Sequence, residues 1–231
     1  MSEDSDEDNS LIKYSGNYGG ITQESQFWDD LEDMGEQALL KRKIIKIKIY
    51  TGKYNDKEAI FGISVTFKNL TNGAIEEKDH KGSKDFEDVK EFEIGGQFLT
   101  DFHIRFTNEA EYISQLGYGT ATNQFLVPEK SDDGEDKTIL TNGGENIIVG
   151  TFGCLKEKLD ATGILYIPKK EYMKISLFRF FMLKYLVKKD AQFKDKWDKQ
   201  YRSLPEDFQY IWKFATLPDA CFFSIIKFCF Y

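Results

Sequence analysis

Between residues 43 and 167 apolar and polar positions alternate with a period of two. In 43–50, KIIKIKIY, the residues Ile45, Ile47 and Ile49 alternate with Lys46, Lys48 and Tyr50, as in a strand with one face buried and its lysines in water. The run 60–67, IFGISVTF, repeats the device with Phe61, Ile63, Val65 and Phe67 on one face. Further strands are predicted at 91–94, 99–106, 110–119, 145–152 and 161–167. Turn signals separate them, among them Asn72-Gly73, Gly95-Gly96, Asp133-Gly134 and Gly143-Gly144. Many short strands with closely spaced turns predict an antiparallel all-β domain, a sandwich, barrel or prism. GGQFLTDFHIRF (95–106) and GGENIIVGTFG (143–153) each place a glycine pair before a polar residue and an alternating strand, which suggests a repeated hairpin unit.

The period changes after Pro168. Phe178, Met182 and Leu186, then Phe193, Trp197 and Tyr201, recur every four residues without an intervening glycine, predicting one long helix or two shorter ones that end at Pro205. A further helix is expected at 206–216. Beyond it lies an apolar tail holding Phe222, Phe223 and Phe228, shorter than the about 20 residues a bilayer span needs.

Charge divides the chain more sharply than its net value of −8 suggests. Residues 1–33 hold ten Asp or Glu and one Lys, and residues 169–203 hold eleven Lys or Arg and four acids. The acidic balance argues against a nucleic-acid binder. Residues 1–13 read as a solvated acidic tail without the features of a presequence, so the expected location is cytoplasmic. Cys154, Cys221 and Cys229 lack metal-ligand spacing and read as small apolar residues.

The stretch GTFGCLKEKLDATGILYIP (150–168) resembles the last hairpin of jacalin-related lectins, where a Gly-rich segment, a G-x-x-x-D loop and a small-small-Gly step lead into the closing strand. Tyr18-Gly19-Gly20 followed by Phe27-Trp28-Asp29-Asp30 is similar to that family's opening. His80-Lys81-Gly82 stands where many members carry a His-Gly-Gly loop, and EAEYISQLGYGT (109–120) resembles a later strand. The resemblance covers about residues 14–168. It implies a β-prism I fold of three Greek-key sheets, followed here by an α-helical extension over 169–231 that the family lacks. It also implies a shallow sugar site in which Asp160 accepts from sugar hydroxyls, the backbone amides of Glu157 and Lys158 donate to them, and Gly20 belongs to the first loop. Two departures weaken that loop: Lys156 replaces its glycine, and Ile21-Thr22-Gln23-Glu24-Ser25 carries no second glycine after Gly20.

Catalytic chemistry has little to build on. The two histidines are His80, expected in a loop, and His103, expected in a strand, and neither has a partner visible in the sequence. Asp29-Asp30 reads as a turn, and no phosphate or dinucleotide fingerprint occurs. No enzyme activity, cofactor or metal is expected. The leading expectation is a protein-interaction module in a larger intracellular assembly, cytoskeletal or ciliary, docked through Phe193, Trp197, Tyr201, Phe222, Phe223 and Phe228. The alternative is a carbohydrate-binding lectin acting through Asp160, and a third is membrane-surface attachment by the basic helix.

Overall fold

The computed structural model describes residues 10–21, 24–82, 86–107, 112–129, 135–139, 144–200 and 212–222, with backbone alone for 135–139, 176–180, 193, 197 and 200. The chain divides into two units, one ending at Tyr172 and the other beginning at Met173.

In the first unit the strands are β1 (Lys13–Tyr14), β2 (Tyr18–Gly19), β3 (Gln26–Asp29), β4 (Arg42–Tyr54), β5 (Lys57–Asn69), β6 (Ile75–Lys81), β7 (Asp88–Glu93), β8 (Asp101–Phe106), β9 (Ile113–Gly119), β10 (Gln124–Val127), β11 (Glu135–Ile139), β12 (Asn146–Leu155) and β13 (Leu159–Pro168). They form three antiparallel sheets, ordered β1-β13-β12-β3 with β2 also on β13, β10-β9-β8-β11, and β6-β5-β4-β7. The last two share one connectivity, a hairpin triplet whose fourth strand returns beside the first, which is the Greek-key order. Segments from both ends of the unit make the remaining sheet. A β-prism of three sheets is therefore the architecture, and its core holds Ile47, Ile49, Ile63, Val65, Phe67, Phe102, Ile104, Leu116, Ile164 and Leu165.

The long strands stand where the alternation predicts them, but β5 is buried on both faces from Ala59 to Phe67, and other differences have local causes. On β4 Ile44, Ile47 and Ile49 are buried and Ile45 is not, because a bulge at Ile45 between the pairs Ile44–Phe67 and Lys46–Thr66 shifts the facing by one residue; Tyr50, placed by the alternation on the opposite face, is buried too, against Ala59, Phe61 and Tyr112. Strand β6 escapes the sequence pattern because its residues IEEKDHK are mostly charged. It is an edge strand whose Glu77 meets Lys48 at 2.7 Å and Ser64 Oγ at 2.7 Å, covering the polar face of β5. His80 thus lies in a strand and not in a loop. Strand β11, which the sequence pattern does not show, pairs with β8 through Glu135–Phe106 to Ile139–Phe102.

Residues 10–13, expected within a solvated tail, are tied to the first unit. Glu36 Oε1 accepts from Ser10 Oγ at 3.1 Å and from the amides of Leu11 and Ile12 at 2.6 and 3.3 Å, and the Ile12 side chain is buried. Glu36 opens α2 (Glu36–Leu39), which follows α1 (Asp30–Met34). Asp29 caps α1, its carboxylate accepting from the amides of Leu31 and Glu32.

Helix α3 (Lys169–Lys189) starts at the end of the first unit, and α4 (Ala191–Gln200) follows a break at Asp190. A short helix spans residues 212–216 and another 219–222. The predicted end at Pro205, and residues 206–211 of the predicted third helix, lie outside the described residues. Lys188 pairs with Asp219 at 2.8 Å, and Trp212 Nε1 donates to Asp198 at 2.8 Å, tying the second unit's helices together. No helix among the described residues is long and apolar enough to cross a membrane.

Candidate functional site

Strands β12 and β13 form a hairpin whose turn, Lys156–Lys158, is closed by the Lys156 amide donating to the Lys158 carbonyl. Immediately after the turn the register slips: Leu155 pairs with Leu159 and Cys154 with Ala161, leaving Asp160 as the extra residue of a β-bulge. A bulge re-aims the side chain it carries. Asp160 is only 2% exposed. Its Oδ2 accepts from Ser25 Oγ at 3.0 Å, and its Oδ1 lies 3.5 Å from Lys158 Nζ.

Two other segments close on this hairpin through glycine. Gly19, at φ +119°, pairs with Ala161, and a Cβ there would stand 2.2 Å from the Asp160 carbonyl oxygen. That contact brings Gly20 and, further along, Ser25 beside the bulge. Gly82, at the end of β6, lies so close to the turn that a Cβ would stand 2.6 Å from the Glu157 carbonyl oxygen. Glu157 and Lys156 are exposed, and Lys156 reaches across to form an ion pair with Glu24. The bond with Lys156 holds the Glu24 carboxyl below its ordinary value, and the same bond raises Lys156.

Lys158 is the component that the sequence reading assigned only a backbone role. Its side chain is 13% exposed and turns back over the hairpin. The ammonium sits 4.4 Å from the Tyr54 ring centroid and 5.4 Å from that of Tyr112. The two rings meet edge-on at 5.5 Å. Two aromatic faces and a carboxylate thus surround one cation. Neither tyrosine was singled out in sequence; the available signal for Tyr54 is its position beside the Asn55-Asp56 turn, both at positive φ.

A second polar cluster lies at the foot of the same region. Asp30 is fully buried, with Oδ2 accepting from the Thr151 amide at 2.8 Å and from Thr151 Oγ1 at 3.1 Å. Asp30 Oδ1 stands 4.0 Å from His80 Nε2, and these two atoms and the Tyr118 hydroxyl are buried without a hydrogen-bond partner. The His80 ring stacks on Trp28 at 4.7 Å, and Trp28 Nε1 donates to Thr151. Burial pushes Asp30 up to about 6, opposed by the Thr151 hydrogen bonds and Lys78, with Asp33 adding to the rise. Burial brings His80 down to about 4, with Asp33 and Asp79 acting the other way. Burial also raises Tyr118. His103, the other histidine, faces Gln115 Oε1 at 3.1 Å.

The partner-docking candidates fall differently. Phe222 is fully buried, its ring 4.8 Å from Phe214 and 5.9 Å from Phe181, so it packs inside the helical unit and does not present a free docking face. The side chains of Phe193 and Trp197, and residues Tyr201, Phe223 and Phe228, lie outside the described residues. Helix α3 does expose Phe181, Met182, Tyr185 and Leu186.

No family model matches the chain, and no curated protein matches it. Solved structures do. Malaysian banana lectin superposes with a TM-score of 0.52 at 21% identity, over 68% of this chain and 99% of the lectin. A mannose-binding jacalin-related lectin from Ananas comosus gives 0.52 at 16% identity, over 69% and 99%. A mannose-specific jacalin-related lectin from Morus nigra gives 0.52 at 20% identity, over 69% and 97%. The fold of the first unit is thus the jacalin-type β-prism, and the helical extension is additional to it.

Proposed function

We propose that the β-prism is a non-enzymatic carbohydrate-binding module whose ligand end is the β12–β13 hairpin with the segments carrying Gly20, Ser25 and Gly82. One observation carries the reading: a buried carboxylate, set on a bulge next to a hairpin turn, where two glycine-built segments from elsewhere in the chain converge. Sugar hydroxyls both donate and accept. An ionised acceptor beside backbone amides suits them, each hydrogen bond to a charged group contributing about 1.5–3 kcal/mol. Lys158 and Ser25 hold that carboxylate when no ligand is present, so a sugar binds by displacing them.

A glycan array and titrations with mannose and galactose oligosaccharides test the reading, using the full chain and Asp160→Asn. The wild type is expected to bind and the variant to lose at least about tenfold in affinity, the factor that 1.4 kcal/mol represents. Equal binding by the two proteins, or none by either, counts against it.

The interaction-module reading retains one specific support, the exposed apolar residues Phe181, Met182, Tyr185 and Leu186 on α3. If these residues pair with a second copy of the chain, sedimentation velocity will show a concentration-dependent dimer that Tyr185→Lys abolishes. A monomer at all concentrations removes that form of the idea. Among the described residues nothing in the hairpin or the helices supports a cytoskeletal or ciliary assembly.

A further inference from the structure

The occupant of the candidate site is a clue to the ligand. An ammonium already fills the space between Tyr54, Tyr112 and Asp160, at 4.4 and 5.4 Å from the ring centroids and 3.5 Å from the carboxylate. Both Tyr112 and Asp160 are almost wholly buried, so the negative charge in this cage is desolvated and needs a cation or strong donors beside it. A neutral hydroxyl that displaced Lys158 would leave the carboxylate without a countercharge and the ring faces without their cation. An incoming ammonium would restore both interactions.

We infer that the cage prefers an amino sugar with a free, protonated amine to a neutral or N-acetylated one. Lys158 acts as the intramolecular ligand that such a sugar replaces. The inference rests on the carbohydrate-binding reading above and narrows its ligand class. Lys158 enters from the hairpin turn and its side chain remains 13% exposed, and a saccharide that replaces it would follow the path of that side chain. There the ammonium of a 2-amino-2-deoxyhexose meets Asp160 and Tyr54. Its flanking hydroxyls come within reach of Ser25 and of the exposed turn at Lys156 and Glu157.

The test is a set of titrations at about pH 6, where an amine of this kind is protonated. Glucosamine and short chitosan oligomers are compared with N-acetylglucosamine and mannose, against the full wild-type chain. Selectivity in the wild type is read without any substitution, so it does not depend on a variant folding. At least tenfold preference for the free amine is expected. Lys158→Met should tighten glucosamine binding further, and Asp160→Asn should erase the preference, with melting curves confirming that both variants fold. If N-acetylglucosamine or mannose binds as well as glucosamine in an Asp160-dependent way, the cage inference is overturned and the lectin reading stands. Should no saccharide bind either the wild type or Lys158→Met, both fall.

Discussion

Asp30→Asn is expected to make the protein lose more stability than wild type on acidification, and His80→Phe to do the reverse. A buried carboxyl near 6 in the fold, against 3.8 when exposed, contributes stability that is fully present below 3.8 and lost as pH rises through 6. A buried imidazole near 4, against 6.5 when exposed, contributes stability that is present above 6.5 and lost as pH falls through 4. Each amounts to about 3 kcal/mol over its window, at 1.36 kcal/mol for each pH unit of separation. The windows overlap and the signs oppose. At pH 5 the folded pair carries its proton on Asp30 and the unfolded pair carries it on His80, so folding neither takes up nor releases a proton here.

The wild-type contribution from this pair is therefore flat between about pH 4 and 6, while each single variant exposes the slope of the residue that remains. Relative to wild type, Asp30→Asn should gain about 3 kcal/mol between pH 4 and 7, and His80→Phe should gain a similar amount between pH 7 and 4. Phenylalanine keeps a ring against Trp28, which limits the packing loss. Urea unfolding of the three proteins across this range measures it. Parallel stability curves would show that burial does not set these two values.

Gly153→Ala is expected to destabilise the β-prism by about 3 kcal/mol, at the upper end of the cost of overpacking a core. The strand predicted from sequence stops at residue 152, but Gly153 sits inside β12 with Trp28 and Thr162 as cross-strand neighbours. A Cβ there would stand 2.5 Å from the Trp28 ring and 2.5 Å from the Ala161 carbonyl oxygen. The indole cannot retreat freely, because His80 is stacked on it. Gly96→Ala, where a Cβ meets nothing within 4 Å, is the matched control and should be neutral or gain a few tenths of a kcal/mol. Chemical denaturation followed by tryptophan fluorescence reports both, and a Gly153 variant as stable as the control would refute the packing argument.

Much of the fold follows from local pattern. The period-two runs of β4, β5, β8 and β12 and the glycine pairs before β8 and β12 mark strands and turns, because large apolar side chains recur on the face turned to the prism core even where, as on β5, the other face is covered too. The edge strand β6 stays hidden, since a strand with little buried surface carries no hydrophobic signature. Helices α3 and α4 show in the four-residue recurrence of apolar residues, whereas which of them face inward does not: Met182 and Leu186, both on the predicted stripe, are exposed, and Phe222, outside it, lies in the packing.

The candidate site divides in the same way. Asp160, Glu157 and Gly20 were marked by resemblance alone, and the sequence by itself determined that a turn-and-carboxylate hairpin with an altered loop follows the last predicted strands. Only the tertiary structure decided what that carboxylate touches. The bulge turns Asp160 inward, Ser25 arrives from 135 residues away, and Lys158 folds over Tyr54 and Tyr112 from two other strand ends. Local propensity cannot encode such meetings, because a residue's hydrophobicity and turn preference say nothing of which distant segment sheet closure brings against it. The amine-filled cage is a product of that closure.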